Sequence, residues 1–215
     1  MKAIILDMDG LMIDTERLYY NADEKVAKEY RKNINHTVIE QMIGQKPLDA
    51  MKIFQEYLCV DVSPQNLLKK RDKYFLEMLE TDLRPMPGLM DFLTIFQSKF
   101  KLAIATGSIN QYVQIILSKL NLYTFFDVIQ TSDSIQKGKP DPEIYIQVIK
   151  KLKISSDECI VLEDSSNGVK SAKRAGCYVI AIPSNYTMNQ DFSQADYKAS
   201  DLQEASDHIL ELITK

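Results

Sequence analysis

Cysteine is scarce. Three residues among 215, Cys59, Cys159 and Cys177, are odd in number and far apart along the chain, which excludes a disulfide framework. They read as reduced core or near-surface thiols of a cytosolic protein. Histidine is scarcer, with only His36 and His208, so a zinc site or a histidine-based triad lacks parts. Each reads as a helix-end or surface residue. The densest basic cluster, Lys69-Lys70-Arg71, runs straight into Asp72 and reads as a solvated helix face. With a net charge of −4 and no basic track, the chain is not expected to bind a nucleic-acid polymer. No apolar run approaches the roughly 20 residues that span a bilayer, so no membrane partner is expected. The N-terminus enters a strand without the positive-then-apolar plan of a signal peptide, and a cytoplasmic location is the expectation. No repeat or low-complexity segment is present. Nothing demands an assembly, and a monomer is expected.

What is there divides into two textures. A hydrophobic content of 45% suits one large α/β domain, or a core domain with a smaller insert. From about Thr15 to Glu80 apolar residues recur at helical spacing: Leu18, Ala22, Val26 and Tyr30, then Met51, Phe54 and Leu58, then Leu67, Leu68, Phe75, Leu76 and Leu79. Gly44 is expected to close one helix, Pro47 to stand near the start of the next, and Ser63-Pro64 to cap the last of four.

From about Pro87 strands alternate with helices. Strands are expected at 101–106, 127–130, 159–162 and 177–182, with helices at 109–120, 142–152 and 167–175; Asp141 is the expected N-cap of the second helix. Such alternation implies a Rossmann-like parallel sheet with helices on both faces. The first strand, Lys2 to Leu6, joins that sheet from eighty residues upstream, so the helical block is an insertion. The expected division is an α/β core of 1–14 and 84–215 and an all-α, four-helix insert of 15–83. Its second linker, Asp82 to Gly88, is stiffened by Pro85 and Pro87 and ends flexibly at Gly88.

The chemistry gathers at strand ends. The apolar run Ala3-Ile4-Ile5-Leu6 stops at Asp7-Met8-Asp9-Gly10. Two carboxylates at 4 Å repel by about 4 kcal/mol at an effective dielectric near 20. A metal ion, a shared proton or a cationic side chain must offset that. In open parallel sheets ligands bind beyond the carboxyl ends of strands. The second strand ends in Thr106-Gly107-Ser108, a later one in Glu163-Asp164, and Lys139 lies in a loop just ahead of a helix. Four carboxylates in one crevice need a cation. All-oxygen ligands select a hard one, with Mg²⁺ as the expectation. The Thr106-Gly107-Ser108 turn ahead of a helix offers N–H groups to a phosphate dianion, and Lys139 adds a positive charge. A carboxylate beside such a phosphoryl group can attack phosphorus. A second can pass a proton to the leaving alcohol and later take one from water.

Four segments carry a family resemblance: Asp7-Met-Asp9-Gly-Leu, Ala105-Thr106-Gly107-Ser108, Lys139-Pro-Asp-Pro-Glu-Ile-Tyr, and Val161-Leu-Glu163-Asp164-Ser-Ser-Asn-Gly168. In that order they resemble the haloacid dehalogenase superfamily, in its phosphatase/β-phosphoglucomutase-like branch, whose small cap domain sits where the helical block sits here. The resemblance implies an aspartyl-phosphate mechanism on a small phosphorylated metabolite, a sugar phosphate or a nucleotide. It implies Asp7 as nucleophile and Asp9 as general acid/base, with Thr106, Gly107, Ser108 and Lys139 holding the phosphoryl group. It implies Mg²⁺ on Asp7, the Asp9 backbone carbonyl and Asp164, with Glu163 close by.

Blander readings stand beside these. Asp9 suits a turn before Gly10, Lys139 a solvated loop, and Asp141 a helix cap; Ser165 and Asn167 suit either a metal site or a cap. Glu16, Lys46 and Asn110 are the candidates for setting substrate specificity, against solvated alternatives. Tyr19, Tyr20 and Tyr30 read mostly as core. A β-phosphoglucomutase-like phosphosugar mutase is the competing activity. The resemblance places a histidine of that mutase in the stretch Glu16 to Tyr20, which has none, and an arginine in the loop Gly44-Gln-Lys-Pro47, which has none either. Both departures favour hydrolysis. A non-catalytic binding protein of the same fold is disfavoured because Asp7 and Asp9 are both present.

Overall fold

The computed structural model describes residues 1–42 and 47–214. The chain divides into two compact units, Asp14–Arg84 and Met1–Ile13 with Pro85–Lys215. The first is helical: α1 (Thr15–Glu29), α2 (His36–Met42), α3 (Pro47–Leu58) and α4 (Pro64–Thr81) are its helices among the described residues. Ser63 caps α4 as expected, its hydroxyl accepting the Asn66 N–H at 3.3 Å with Pro64 at the first helical position. The expected helix end at Gly44 lies outside the described residues. Val26, Met51, Phe54, Leu58 and Leu67 form the core of this unit, with Tyr20 and Tyr30 against it. Tyr19 stacks on Phe75 with ring centroids 4.0 Å apart.

Arg17 ties the ends of this unit together. Its Nε donates to Asp14 Oδ2 at 2.7 Å, its Nη2 to the Asp82 carbonyl at 2.8 Å, and its Nη1 to the Asp82 carboxylate. Between α1 and α4 lies Asp23, 4% exposed, whose Oδ1 has no hydrogen-bond partner among the described residues. Burial pushes its carboxyl up to about 7, with the Arg71 guanidinium opposing and Asp72 adding to the rise. A carboxyl raised on folding holds a proton that the unfolded chain has released. Its contribution to stability is therefore whole below about pH 4 and lost as the pH climbs to about 7, a loss on the order of 4 kcal/mol. Asp23→Asn should melt close to wild type at pH 4 and above it at pH 8. Parallel melting profiles across that range would exclude Asp23 as the source.

The second unit is a parallel sheet wrapped by helices. Its strands are β1 (Ala3–Leu6), β2 (Lys101–Ala105), β3 (Val128–Gln130), β4 (Cys159–Glu163), β5 (Tyr178–Ala181) and β6 (Tyr197–Lys198). They lie in the order β3-β2-β1-β4-β5-β6, every neighbouring pair parallel. β1 is wholly apolar because it is covered on both faces and both edges: Ile4 sits between Leu102 and Ile160. The helices are α5 (Leu89–Phe96), α6 (Asn110–Lys119), α7 (Glu143–Leu152), α8 (Ser166–Arg174) and α9 (Leu202–Thr214). Ile144, Tyr145 and Val148 of α7 and Val169 and Ala172 of α8 share one core with Ile5, Ala103, Val161 and Val179 of the sheet.

Three expectations are corrected here. Gly88 is no flexible end: it sits at φ 80°, the left-handed conformation glycine adopts without strain, and starts α5. α7 begins at Glu143, one residue later than expected, with Pro142 at the N-cap. Asp141 still caps it, from one position further out, through the Glu143 N–H at 3.1 Å. β4 runs one residue further than expected, so that Glu163 is still in the strand. Among the described residues no helix is long and apolar enough to cross a membrane.

Candidate active site

From β1 the sheet extends to β2 on one side and β4 on the other, and the crevice at such a switch point opens at the carboxyl ends. The chain leaving β1 folds back at once. Met12 and Ile13 both donate backbone N–H bonds to the Met8 carbonyl, and Gly10 turns at φ 78°. Asp7 is thereby left at the strand end, 6% exposed.

Lys139 reaches Asp7 from 132 residues away. Its Nζ donates to Asp7 Oδ1 at 2.5 Å, to Glu163 Oε1 at 2.5 Å and to the Ala105 carbonyl at 3.2 Å. Its loop is held by Glu143, whose carboxylate accepts the Gln136 and Lys137 N–H groups at 3.0 and 2.8 Å. Across the crevice Asp9 Oδ2 accepts from the hydroxyls of Thr106 at 2.9 Å and Ser108 at 2.8 Å. Asp164 is 4% exposed, and one carboxylate oxygen each from Asp7, Glu163 and Asp164 lie within 4.8 Å of one another. These three could hold a metal ion. The strand ends of β1, β2 and β4 and the loop before α7 thus contribute to one acidic cluster.

The electrostatics of Asp7 call for a cation. Burial pushes its carboxyl up to about 8; Glu163 and Asp9 add to the rise, and the Lys139 ammonium opposes without overcoming it. Burial works to lower Lys139, but Asp7 and Glu163 hold it well above its usual value, so it stays an ammonium ion. One ammonium leaves the cluster short of positive charge. A hard divalent ion among all-oxygen donors fits that deficit.

The 106–108 turn departs from the expected phosphate cradle. The Ser108 N–H is taken by Thr106 Oγ1 at 3.0 Å. The start of α6 is already met by Asp133, whose Oδ2 accepts the Asn110 N–H at 2.5 Å. A carboxylate thus already pairs with the first N–H of α6, as negative charge does at a helix N-terminus. Gly107 is exposed, with nothing within 4 Å of where a Cβ would stand. Asn110 is exposed as the first residue of α6. Glu16 lies half-buried in the first turn of α1, in the helical unit. Lys46 lies outside the described residues.

Sequence reading missed two participants, Tyr145 and Asp133, and left Ser165 between two roles. Tyr145, 0% exposed, donates its hydroxyl to Glu163 Oε1 at 2.5 Å. Ser165 is both a cap and a site residue: its Oγ accepts the Gly168 N–H at 3.2 Å and donates to Glu163 Oε2 at 3.1 Å. Asp133 had no signal beyond its place in a polar loop.

A model of the haloacid dehalogenase-like hydrolase family matches residues 4–182. The chain belongs to that family. Similar proteins include a phosphorylated carbohydrates phosphatase of Thermotoga maritima, 35% identical over 177 residues and 82% of each chain. A beta-phosphoglucomutase of Bacillus subtilis is 27% identical, covering 85% of this chain and 83% of that one. Among solved structures, a HAD hydrolase of family IA, variant 3, from Entamoeba histolytica superposes with a TM-score of 0.83 at 25% identity, over all of both chains. The parallel sheet with its helical insert is thus the family's fold, and the dyad Asp7/Asp9 stands within the matched segment of this haloacid dehalogenase-like chain.

Proposed function

We propose that this protein is a Mg²⁺-dependent phosphomonoesterase that hydrolyses a small phosphorylated metabolite through an aspartyl-phosphate. One observation carries the reading: Lys139 lies on Asp7 while Thr106 and Ser108 hold Asp9, so nucleophile, cation and proton carrier converge. Asp7 and Asp164 would hold the metal, with the Asp9 backbone carbonyl, and Glu163 stands behind them. When bound, Mg²⁺ would restore the ionised form of Asp7 and screen it from the incoming phosphoryl oxygens.

The chain's own residues then do the chemistry. Lys139 gives up its contact with Asp7 and pairs with a phosphoryl oxygen. The carboxylate of Asp7 attacks phosphorus; the Asp7 O–P bond forms as the ester P–O bond breaks. Asp9, as general acid, passes a proton to the leaving alkoxide. Asp9, now ionised, takes a proton from the water that attacks the phosphoryl-Asp7, and inorganic phosphate leaves with Asp7 regenerated. Thr106 and Ser108 keep Asp9 aimed throughout, and Gly107 leaves open space beside the phosphoryl group.

The helical unit is proposed as the specificity-bearing cap, with its Glu16 and Lys46, and Asn110 of α6 in the other unit, as residues to vary. A phosphorylated carbohydrate is the first substrate class to test, since the similar Thermotoga maritima protein is named for that class. The absence of a histidine from Glu16 to Tyr20 supports hydrolysis over phosphosugar isomerisation. Given β-glucose 1-phosphate and a catalytic amount of the bisphosphate, the protein should release inorganic phosphate; accumulation of glucose 6-phosphate would overturn the hydrolase reading. EDTA should lower the rate of p-nitrophenyl phosphate hydrolysis by at least about tenfold, with Mg²⁺ restoring it. A rate indifferent to EDTA would remove the metal from the proposal.

A further inference from the structure

Glu163 is the most enclosed carboxylate of the site. It is 0% exposed, and its Oε1 accepts from both Lys139 and Tyr145 at 2.5 Å. Its Oε2 accepts from the Ser165 N–H at 3.3 Å and the Ser165 hydroxyl at 3.1 Å. Beneath it lies Gly168, where an added Cβ would stand 1.9 to 2.0 Å from all three carboxyl atoms. Donors on both oxygens and a floor of bare glycine leave the group one orientation. That orientation points Oε1 at Lys139. The Tyr145 ring also lies under the Lys139 ammonium, 5.2 Å from Nζ to the centroid.

We propose that Tyr145 is a positioning residue for phosphate: through Glu163 it sets where the Lys139 ammonium rests and how tightly Glu163 holds it. The inference depends on the phosphatase reading above. Lys139 shares Glu163 Oε1 with the Tyr145 hydroxyl. Removing that hydroxyl leaves a buried carboxylate with one donor fewer, and the remaining charge falls on Lys139. The ammonium is then drawn toward Glu163 and is less available to a phosphoryl oxygen. The hydroxyl is bonded to Glu163, which stands behind the proposed ligands Asp7 and Asp164, so affinity for Mg²⁺ should change far less than affinity for phosphate.

The test is calorimetric titration of the full chain, with inorganic phosphate in the presence of Mg²⁺ and with Mg²⁺ alone. Y145F keeps the ring and loses only the hydroxyl. Its dissociation constant for phosphate should rise roughly tenfold, the size of one hydrogen bond to a charged group. Its affinity for Mg²⁺ should stay within about twofold, and its melting temperature close to wild type. E163Q supplies the second arm: in that background Y145F should weaken phosphate by less than about twofold, because the group it acts through is already altered. S165A, which strips a donor from the other oxygen, should weaken phosphate less than Y145F does. Unchanged phosphate affinity in Y145F, with wild-type binding intact, overturns this inference alone. Equal loss of phosphate and Mg²⁺ with a lowered melting temperature overturns it too, since Tyr145 would then be core packing only. A wild-type chain that takes no phosphate with Mg²⁺ overturns the phosphatase reading and this inference together.

Discussion

Asp7→Asn should abolish hydrolysis of p-nitrophenyl phosphate, by at least about 10⁴-fold, the scale on which covalent enzymes lose rate with their nucleophile. The carboxamide has the shape of the carboxylate and keeps an oxygen for Lys139, but it cannot form the acyl phosphate. The substitution should not unfold the protein. Asp7 is buried beside Glu163 and Asp9, and burial has pushed its carboxyl up to about 8. At neutral pH without metal a carboxyl so raised is mostly protonated, so the neutral carboxamide replaces a neutral group and the variant should melt close to wild type there. A folded Asp7→Asn protein that retains more than a trace of Mg²⁺-dependent turnover would exclude Asp7 as the attacking group. Loss of activity with a collapsed melting temperature would not support the role, which is why both measurements belong to one experiment.

The dyad and its partners were legible because they stand where local rules break. An apolar strand such as Ala3 to Leu6 has no structural reason to end in two carboxylates, and the apolar run Cys159 to Leu162 has none to meet Glu163-Asp164. Lys139 was legible by its place before a helix. Tyr145 was not. In the sequence it is one more aromatic on the apolar face of α7, beside Ile144 and Val148. Only the packing of α7 on the sheet, against β2 and β3, brings its hydroxyl to Glu163. Asp133 was hidden for the same reason: its bond to Asn110 spans 23 residues and two loops. At the turn before α6 the sequence shows the N–H groups but not their partners, the Thr106 hydroxyl for Ser108 and the Asp133 carboxylate for Asn110.

The fold was legible where segments were long or fully buried. Short elements on the rim were missed. β6 has two residues and no apolar alternation to announce it. α9 did carry a signal: Leu202, Ala205 and Ile209 lie on one buried face, and Asp201 caps the Glu204 N–H at 2.9 Å. α5 was passed over because Leu89-Met-Asp-Phe-Leu-Thr-Ile-Phe96 is too apolar to show a polar face, and Gly88 before it suggested a hinge.

Asp9→Asn should separate the two proton transfers. Both hydroxyl donors converge on Asp9 Oδ2, so an asparagine can present its carbonyl oxygen to Thr106 and Ser108 and keep its place. What it loses is the capacity to give and take a proton, a loss of roughly 10² to 10⁴-fold for general acid–base catalysis. With an alkyl phosphate such as a sugar phosphate, the first step needs that proton and should slow by the full amount. With p-nitrophenyl phosphate the leaving phenolate needs little help, so Asp7 should still be phosphorylated. The second step, in which water needs a base, should then become limiting. The variant should release a burst of p-nitrophenol near one equivalent per chain and then stall, with phosphate retained on Asp7. Mass spectrometry of the quenched protein would show the added phosphoryl group. Equal slowing of both substrates with no burst would sink Asp9 as the proton carrier and leave it as a residue that only shapes the site.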